Sequence, residues 1–94
     1  MIAFDQGPRF SLGKVIATPG ALARIPPQEM ISALRRHERG DWGLLESEDR
    51  AQNELALQRG STLVSIFCAE NGTRFYIITE WDRSRTTVLL PEEY

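Results

Sequence analysis

The chain has 94 residues and a net charge of −2 at pH 7, and this slightly acidic balance argues against a general nucleic-acid binder, which carries a basic surface stripe. The length fits one domain over residues 1–94, with residues 1–9 and 91–94 expected to fray. No stretch approaches the ~18 apolar residues of a membrane span, and the N-terminus lacks the features of a signal peptide. We therefore expect a cytoplasmic protein that does not bind membranes.

The first half of the chain predicts one strand followed by two helices. Residues 10–18 contain adjacent β-branched residues in a strand-like run, which a Thr-Pro-Gly sequence stops. Residues 26–39 place apolar side chains on one helical face, and Pro27 suits the first turn of a helix. Residues 47–60 predict a second helix that ends at Gly60.

The second half of the chain predicts three strands in an antiparallel meander. Residues 61–69 and 73–80 are β-branched and aromatic, and Asn71-Gly72 between them is a strong hairpin signal. Residues 86–90 form the third strand. The order β-α-α-β-β-β therefore indicates an α+β fold, with two helices packed on a small antiparallel sheet. Whether the first strand joins the meander is open at this point.

A first candidate site surrounds His37, near the end of the first predicted helix. A histidine can act as a general acid or base near neutral pH, Arg36 can bind a phosphate, and Asp41 can orient the imidazole ring. The alternative is that His37 packs on the apolar face of its helix. Trp42 follows between two glycines, either as an exposed binding residue or as a plug between the helices.

A second candidate site is the turn before the last strand, which is crowded with hydroxyl, carboxylate and guanidinium groups. As a ribonuclease site it would combine His37 as general acid or base, Arg83 as phosphate clamp, and Thr79 and Thr87 as orienting donors. As a binding surface it would work together with the end of the first helix. The candidate binding residues are then Arg36, Asp41, Trp42, Asp82, Arg83, Ser84, Arg85 and Thr86.

The same turn also has a purely structural interpretation. Asp82 and Ser84 can fix a turn through bonds to the backbone, and Thr86 can pair across the ladder. The sequence carries no metal-binding motif and predicts no cofactor. Cys68 is the only cysteine and lies in an apolar run, which predicts a buried structural thiol.

Four stretches of the sequence together resemble a known family: GKVIATPGAL, RHERGDWG, EDRAQNE and ITEWDRSRTTVLLPEEY. They are similar to short bacterial proteins of plasmids and other mobile elements, described as plasmid-related proteins, some of whose members carry the name of a type I restriction enzyme subunit. The resemblance runs from Gly13 to the C-terminus and departs at Trp81, where the family has a small residue. It implies a mobile-element origin and no particular chemistry.

Two functional hypotheses follow from the sequence. The favoured one is an accessory protein of a mobile element that binds a host or plasmid protein and modulates a host defence system. The alternative is a metal-independent ribonuclease, since the order of elements is loosely similar to the barnase–EndoU–colicin–RelE group, with RNA as partner. Residues 86–90 would also offer their backbone for oligomerisation if they form an edge strand.

Overall fold

A computed structural model describes residues 7–94, which form four strands, three α-helices and a C-terminal 3₁₀ turn. None of the described helices is long and apolar enough to cross a membrane. The elements in chain order are β1 (Lys14–Ala17), α1 (Pro19–Arg24), α2 (Pro27–Glu38), α3 (Ser47–Arg59), β2 (Leu63–Cys68), β3 (Arg74–Thr79), β4 (Arg85–Leu89) and the 3₁₀ turn (Pro91–Glu93).

The short helix α1 is an element that the sequence reasoning missed. The Thr-Pro-Gly sequence, interpreted there as a strand stop, also begins a helix. The hydroxyl of Thr18 accepts a hydrogen bond from the Ala21 amide at 3.1 Å, and Pro19 occupies the first turn, where a missing N–H costs nothing. The two predicted helices are confirmed as α2 and α3, with closely similar bounds.

The four strands form one mixed sheet in the order β1-β4-β3-β2. β2, β3 and β4 form the predicted antiparallel meander, whereas β1 joins the sheet in parallel beside β4. The connection from β1 to its parallel neighbour passes through all three helices and two strands. β4 is consequently an interior strand, so the condition under which residues 86–90 would offer their backbone to another chain is not met.

The main core lies on one face of this sheet, called the inner face here. Alternation along the paired strands puts Phe67, Ile77 and Val88 on this face, together with Thr79 and Thr86. Helices α1 and α2 cover it with their apolar side chains. The buried cluster that results consists of Ala21, Ile25, Ala33, Phe67, Ala69, Phe75, Ile77, Val88 and Leu90.

The outer edge of β2 is closed by the chain that leads into α3 and by α3 itself. The Leu44 amide donates to the Ile66 carbonyl at 2.7 Å, and the Ile66 amide donates to the Trp42 carbonyl at 3.3 Å. Two residues earlier on β2, the Asn53 side chain donates to the Val64 carbonyl at 2.6 Å and accepts from the Val64 amide at 3.3 Å. These contacts satisfy backbone groups that an edge strand would otherwise expose.

The C-terminal residues contact the start of α1, and the expectation that residues 91–94 fray stays a prediction. The Glu93 carboxylate accepts hydrogen bonds from the Thr18 hydroxyl at 2.6 Å, the Leu90 amide at 2.8 Å and the Gly20 amide at 3.2 Å. The 3₁₀ turn is thereby tied to the start of α1. The expectation for residues 1–9 falls largely on residues 1–6, which lie outside the described part of the chain.

The predicted burial of Cys68 is wrong. The thiol belongs to the opposite, outer face of the sheet and is exposed at the end of β2. Strand alternation explains the difference, because Phe67 takes the inward position and its neighbour must point outward.

Candidate functional site

His37 lies in the interior and exposes none of its surface to solvent. Helix α2 places its ring against the inner face of the sheet, between Ser65 on β2 and Thr79 on β3. Its Nδ1 atom lies 2.5 Å from the Ser65 hydroxyl, and its Nε2 atom lies 2.8 Å from the Thr79 hydroxyl. His37 and Thr79, which the ribonuclease hypothesis requires to lie together, are therefore in contact, and their contact is closed to solvent.

These groups belong to one directional chain of hydrogen bonds. At its end the Thr86 hydroxyl donates to the Leu12 carbonyl at 2.7 Å, and a carbonyl can only accept. The Thr86 oxygen therefore accepts from Thr79, 2.7 Å away, and the Thr79 oxygen accepts from Nε2–H of His37. Nδ1 is left to accept from Ser65. The network thus fixes the Nε2–H tautomer of a neutral imidazole.

Two aromatic rings enclose the remaining surface of the imidazole. Phe10 contacts it edge-on with ring centroids 5.2 Å apart, and Trp42 does so at 5.7 Å. Trp42 is buried, and its indole N–H donates to Glu54 at 3.0 Å. Of the two roles predicted for this tryptophan, the structure shows the packing role.

The surroundings of His37 hold it in the neutral form. Burial, and then the positive charge of Arg83, lowers the pKa of His37 to about 3 from its ordinary 6.5. Such a group is fully deprotonated at neutral pH, so it can accept a proton only weakly. Its position and its protonation state both indicate a structural histidine in this conformation.

Arg83 directs its guanidinium to backbone carbonyl groups. Its guanidinium donates to the carbonyls of Ser61 at 2.6 Å, Glu80 at 3.0 Å and Ala56 at 3.2 Å. The Ala56 carbonyl belongs to the last turn of α3, where a cation is favourable. Arg83 also has the left-handed backbone angle φ of 60°, which is uncommon for a residue other than glycine. The side chain therefore joins the turn to α3.

The turn that contains Arg83 is held by side-chain hydrogen bonds and exposes a tryptophan. Asp82 accepts from the Ser84 hydroxyl at 2.6 Å and from the Ser84 amide at 3.0 Å. These bonds, chiefly the one from the hydroxyl, lower the pKa of Asp82. Asp82 and Ser84 thus take the predicted structural role. Trp81 precedes them with 63% of its surface exposed, which makes it the prominent apolar group of this turn.

The remaining predicted residues are spread over three separate places. Arg36 and Asp41 form an exposed ion pair of 2.7 Å beside α2, and the hydrogen bond from Arg36 lowers the pKa of Asp41. Thr86 is buried in the His37 network, so it cannot bind a partner. Thr87 and Arg85 belong to the outer face, which separates Thr87 from the other proposed catalytic residues.

The structure also reveals a groove that the sequence reasoning did not include. It lies between α3 and the outer face of β2 and β3, encloses about 500 Å³, and is lined by residues such as Leu55, Val64, Ile66 and Tyr76. The alternation of side chains in β2 and β3 puts apolar residues on both faces of the sheet. This was the feature of the sequence that could have indicated an apolar groove on the outer face. The position of α3 at the sheet edge could not be obtained from that pattern.

Within residues 7–94 there is no group of three or more histidine, cysteine, aspartate or glutamate side chains that could hold a metal ion. All buried side-chain nitrogen and oxygen atoms of that region have hydrogen-bond partners. The hydrogen bonds of the His37 network are therefore complete, and the Trp81 turn and the groove beside α3 are two surface features that lie outside this network.

Comparison with family models, with curated proteins and with solved structures found no match to this chain. The resemblance to plasmid-related proteins stays a prediction from the sequence, and the function has to be argued from the surface of the molecule.

Proposed function

We propose that this protein is a non-catalytic accessory protein of a mobile genetic element that binds a host or plasmid protein, with a component of a host defence system as the intended target. The observation that carries the binding role is Trp81, which is exposed on a turn of fixed geometry. The mobile-element origin and the defence target rest on the sequence resemblance alone.

The Trp81 turn has the properties of a binding anchor. Exposed tryptophans are prominent among residues that dominate protein–protein affinity, because they bury a large area with few rotatable bonds. Arg83 and Asp82 fix the backbone on the C-terminal side of Trp81, so little conformational entropy remains to be lost on binding. A turn of this kind is preorganised for insertion into an apolar pocket.

The charges beside the turn indicate the kind of surface it meets. β1 begins against the turn, where the Lys14 amide donates to the Ser84 carbonyl at 3.0 Å. Lys14 and Arg85 are paired neighbours on the outer face, and both are exposed. We infer a partner with an apolar pocket for Trp81 and acidic residues next to it, since complementary charge speeds association and excludes wrong partners.

Site-specific photocrosslinking tests the binding role. A benzophenone amino acid replaces Trp81 in one variant and Leu22, an equally exposed residue of α1, in the control. The proposal predicts a discrete adduct with one protein from the position of Trp81 and none from the control. Against the purified partner, Trp81→Ala should weaken binding at least about 30-fold, the loss of ~2 kcal/mol typical of a hot spot. Equal crosslinking at both positions would refute the proposal.

An assay of RNA cleavage separates this proposal from the ribonuclease hypothesis. Total RNA and transfer RNA are incubated with the purified protein in EDTA, beside His37→Gln, which removes the imidazole and keeps polar atoms. We expect intact RNA with both proteins, because His37 has no access to solvent. Cleavage that is lost in the variant would establish the ribonuclease hypothesis and overturn the proposed function.

A further inference from the structure

The groove beside α3 is an apolar surface with an exposed apolar residue at its rim. Ala56 of α3 and Ile66 and Tyr76 of the sheet contribute to its lining. Leu55 stands at the rim with 39% of its surface exposed. Its volume of about 500 Å³ is large enough to bury a few side chains of another molecule.

Two opposite charges stand on the flank of α3 that lines this groove. Asp49 is in the first turn of the helix and Arg59 is its last residue. They are ten positions apart, which corresponds to roughly 15 Å along a helix at 1.5 Å per residue. Within residues 7–94 neither of them takes part in an ion pair. An occupant that matches the groove therefore carries a cation and an anion at this spacing, in reverse order, with an apolar group between them.

We propose that the occupant is a second copy of this chain, with the two α3 helices antiparallel across a two-fold axis. When two copies of α3 lie antiparallel, Arg59 of each copy is opposite Asp49 of the other, and two identical ion pairs form. The same alignment sets Gln52 opposite Ala56 and brings Leu55 of each copy beside the axis, where it enters the facing groove. Such an interface is self-complementary, as two-fold symmetry requires.

The charge pattern favours a second copy because one symmetry operation satisfies both unpaired charges and covers the apolar rim. The open side of β1 is a weaker place for self-association. It offers only four residues, and one of them is Lys14, the type of residue that keeps edge strands from pairing. A dimer through β1 would leave the charges of α3 unchanged, which makes the two arrangements distinguishable by experiment.

Charge reversal in two separate chains provides the test. Asp49→Arg alone and Arg59→Asp alone each place like charges opposite one another at both ends of the interface. Mixed in equal amounts, the two variants bring opposite charges together again. Glu48→Arg is the matched control, since Glu48 is in the same helical turn and exposed but does not line the groove. Circular dichroism of each variant checks that it is folded.

Sedimentation equilibrium of the full chain gives the result. We expect the wild type and the control to approach twice the monomer mass of 10.7 kDa. Each single reversal should raise the dimer dissociation constant at least about tenfold, and the mixture should return it to near the wild-type value. A monomeric wild type, a dimer insensitive to either reversal, or folded variants that do not associate on mixing would each overturn the proposal.

Discussion

Lowering the pH from about 7.5 to about 5 should weaken the fold, and His37 should cause most of the loss. Its pKa is about 3 in the folded protein and 6.5 as the ordinary value, so the unfolded chain binds the proton more strongly. The contribution of the neutral side chain is therefore complete above pH 6.5 and is lost progressively as the pH falls toward 3. Stability rises with pH throughout that interval.

The magnitude follows from the two pKa values. At pH 5 the unfolded histidine is almost fully protonated and the folded one is almost fully neutral. The interval between pH 5 and the unfolded pKa of 6.5 is about 1.5 pH units. At ~1.4 kcal/mol per unit, protonation of the unfolded chain over this interval lowers the free energy of unfolding by about 2 kcal/mol. The carboxyl groups with lowered pKa, Asp41, Glu54, Asp82 and Glu93, lose their contribution mainly below their ordinary pKa values of 3.8 and 4.5. The interval above pH 5 thus reports mainly on His37.

Urea unfolding followed by circular dichroism measures this effect. The free energy of unfolding is compared at about pH 7.5 and pH 5 for the wild type and for His37→Gln, in which the titrating group is absent. We expect the wild type to lose about 2 kcal/mol more than the variant. Equal losses in the two proteins would show that His37 does not govern the acid response and would refute the buried, neutral assignment.

The tautomer offers a second check of the same network. Nitrogen NMR of His37 should show a neutral ring with the proton on Nε2 at both pH values, because the chain of hydroxyls ends at the Leu12 carbonyl. Ser65→Ala should leave Nδ1 without a donor at a loss of about 1–3 kcal/mol, the cost of an unsatisfied buried acceptor. A proton on Nδ1 would contradict the direction of the hydrogen bonds.

Four further substitutions test the backbone and the tail, the first three by urea unfolding at neutral pH and Glu93→Gln by thermal unfolding at neutral and at acidic pH. Gly43→Ala should lower the free energy of unfolding by at least about 2 kcal/mol, because φ is +70° and the new Cβ would lie 2.0 Å from the Ile66 carbonyl oxygen. Gly60→Ala should lower it by about 1 kcal/mol, because Gly60 also has φ of +70° but lies in open space. Equal costs at the two glycines would contradict the close approach at Gly43. Arg83→Lys should lose about 1–3 kcal/mol, since one ammonium cannot reach the carbonyls of α3 and of the turn together, and an unchanged stability would rule out the joining role. Glu93→Gln should lower the midpoint of thermal unfolding at neutral pH, and the difference from the wild type should shrink as the pH falls below 4.5, the ordinary pKa of this carboxyl group, because protonation then removes the carboxylate that holds the tail. A pH-independent difference would contradict this.

Because Arg83 binds backbone carbonyls, its substitution does not test partner binding alone. A charge reversal such as Arg83→Glu would weaken binding to any partner by disturbing the turn and the end of α3, because the guanidinium is bound to backbone carbonyls of both. Trp81→Ala is the cleaner test, since its exposed side chain lies outside the core clusters.

The sequence by itself was sufficient for the elements that depend on local chemistry. The apolar face with its period of 3.6 residues predicted α2, the stop at Gly60 predicted α3, and the β-branched and aromatic runs with Asn71-Gly72 between them predicted the hairpin and the meander. These properties follow from residues close together in the chain, so a linear pattern contains them.

Only the tertiary structure determined which distant residues meet. β1 lies beside β4 in parallel because three helices intervene, and this makes β4 interior and brings Leu12 to Thr86. His37 becomes a neutral structural residue because the packing of α2 on the sheet buries its ring, and two strands supply the hydroxyls that bind its nitrogens. Arg83 is occupied because the end of α3 comes within reach of the turn. The burial of His37 and the bonds of Arg83 to backbone carbonyls both depend on the packing of the whole chain, which no local pattern contains.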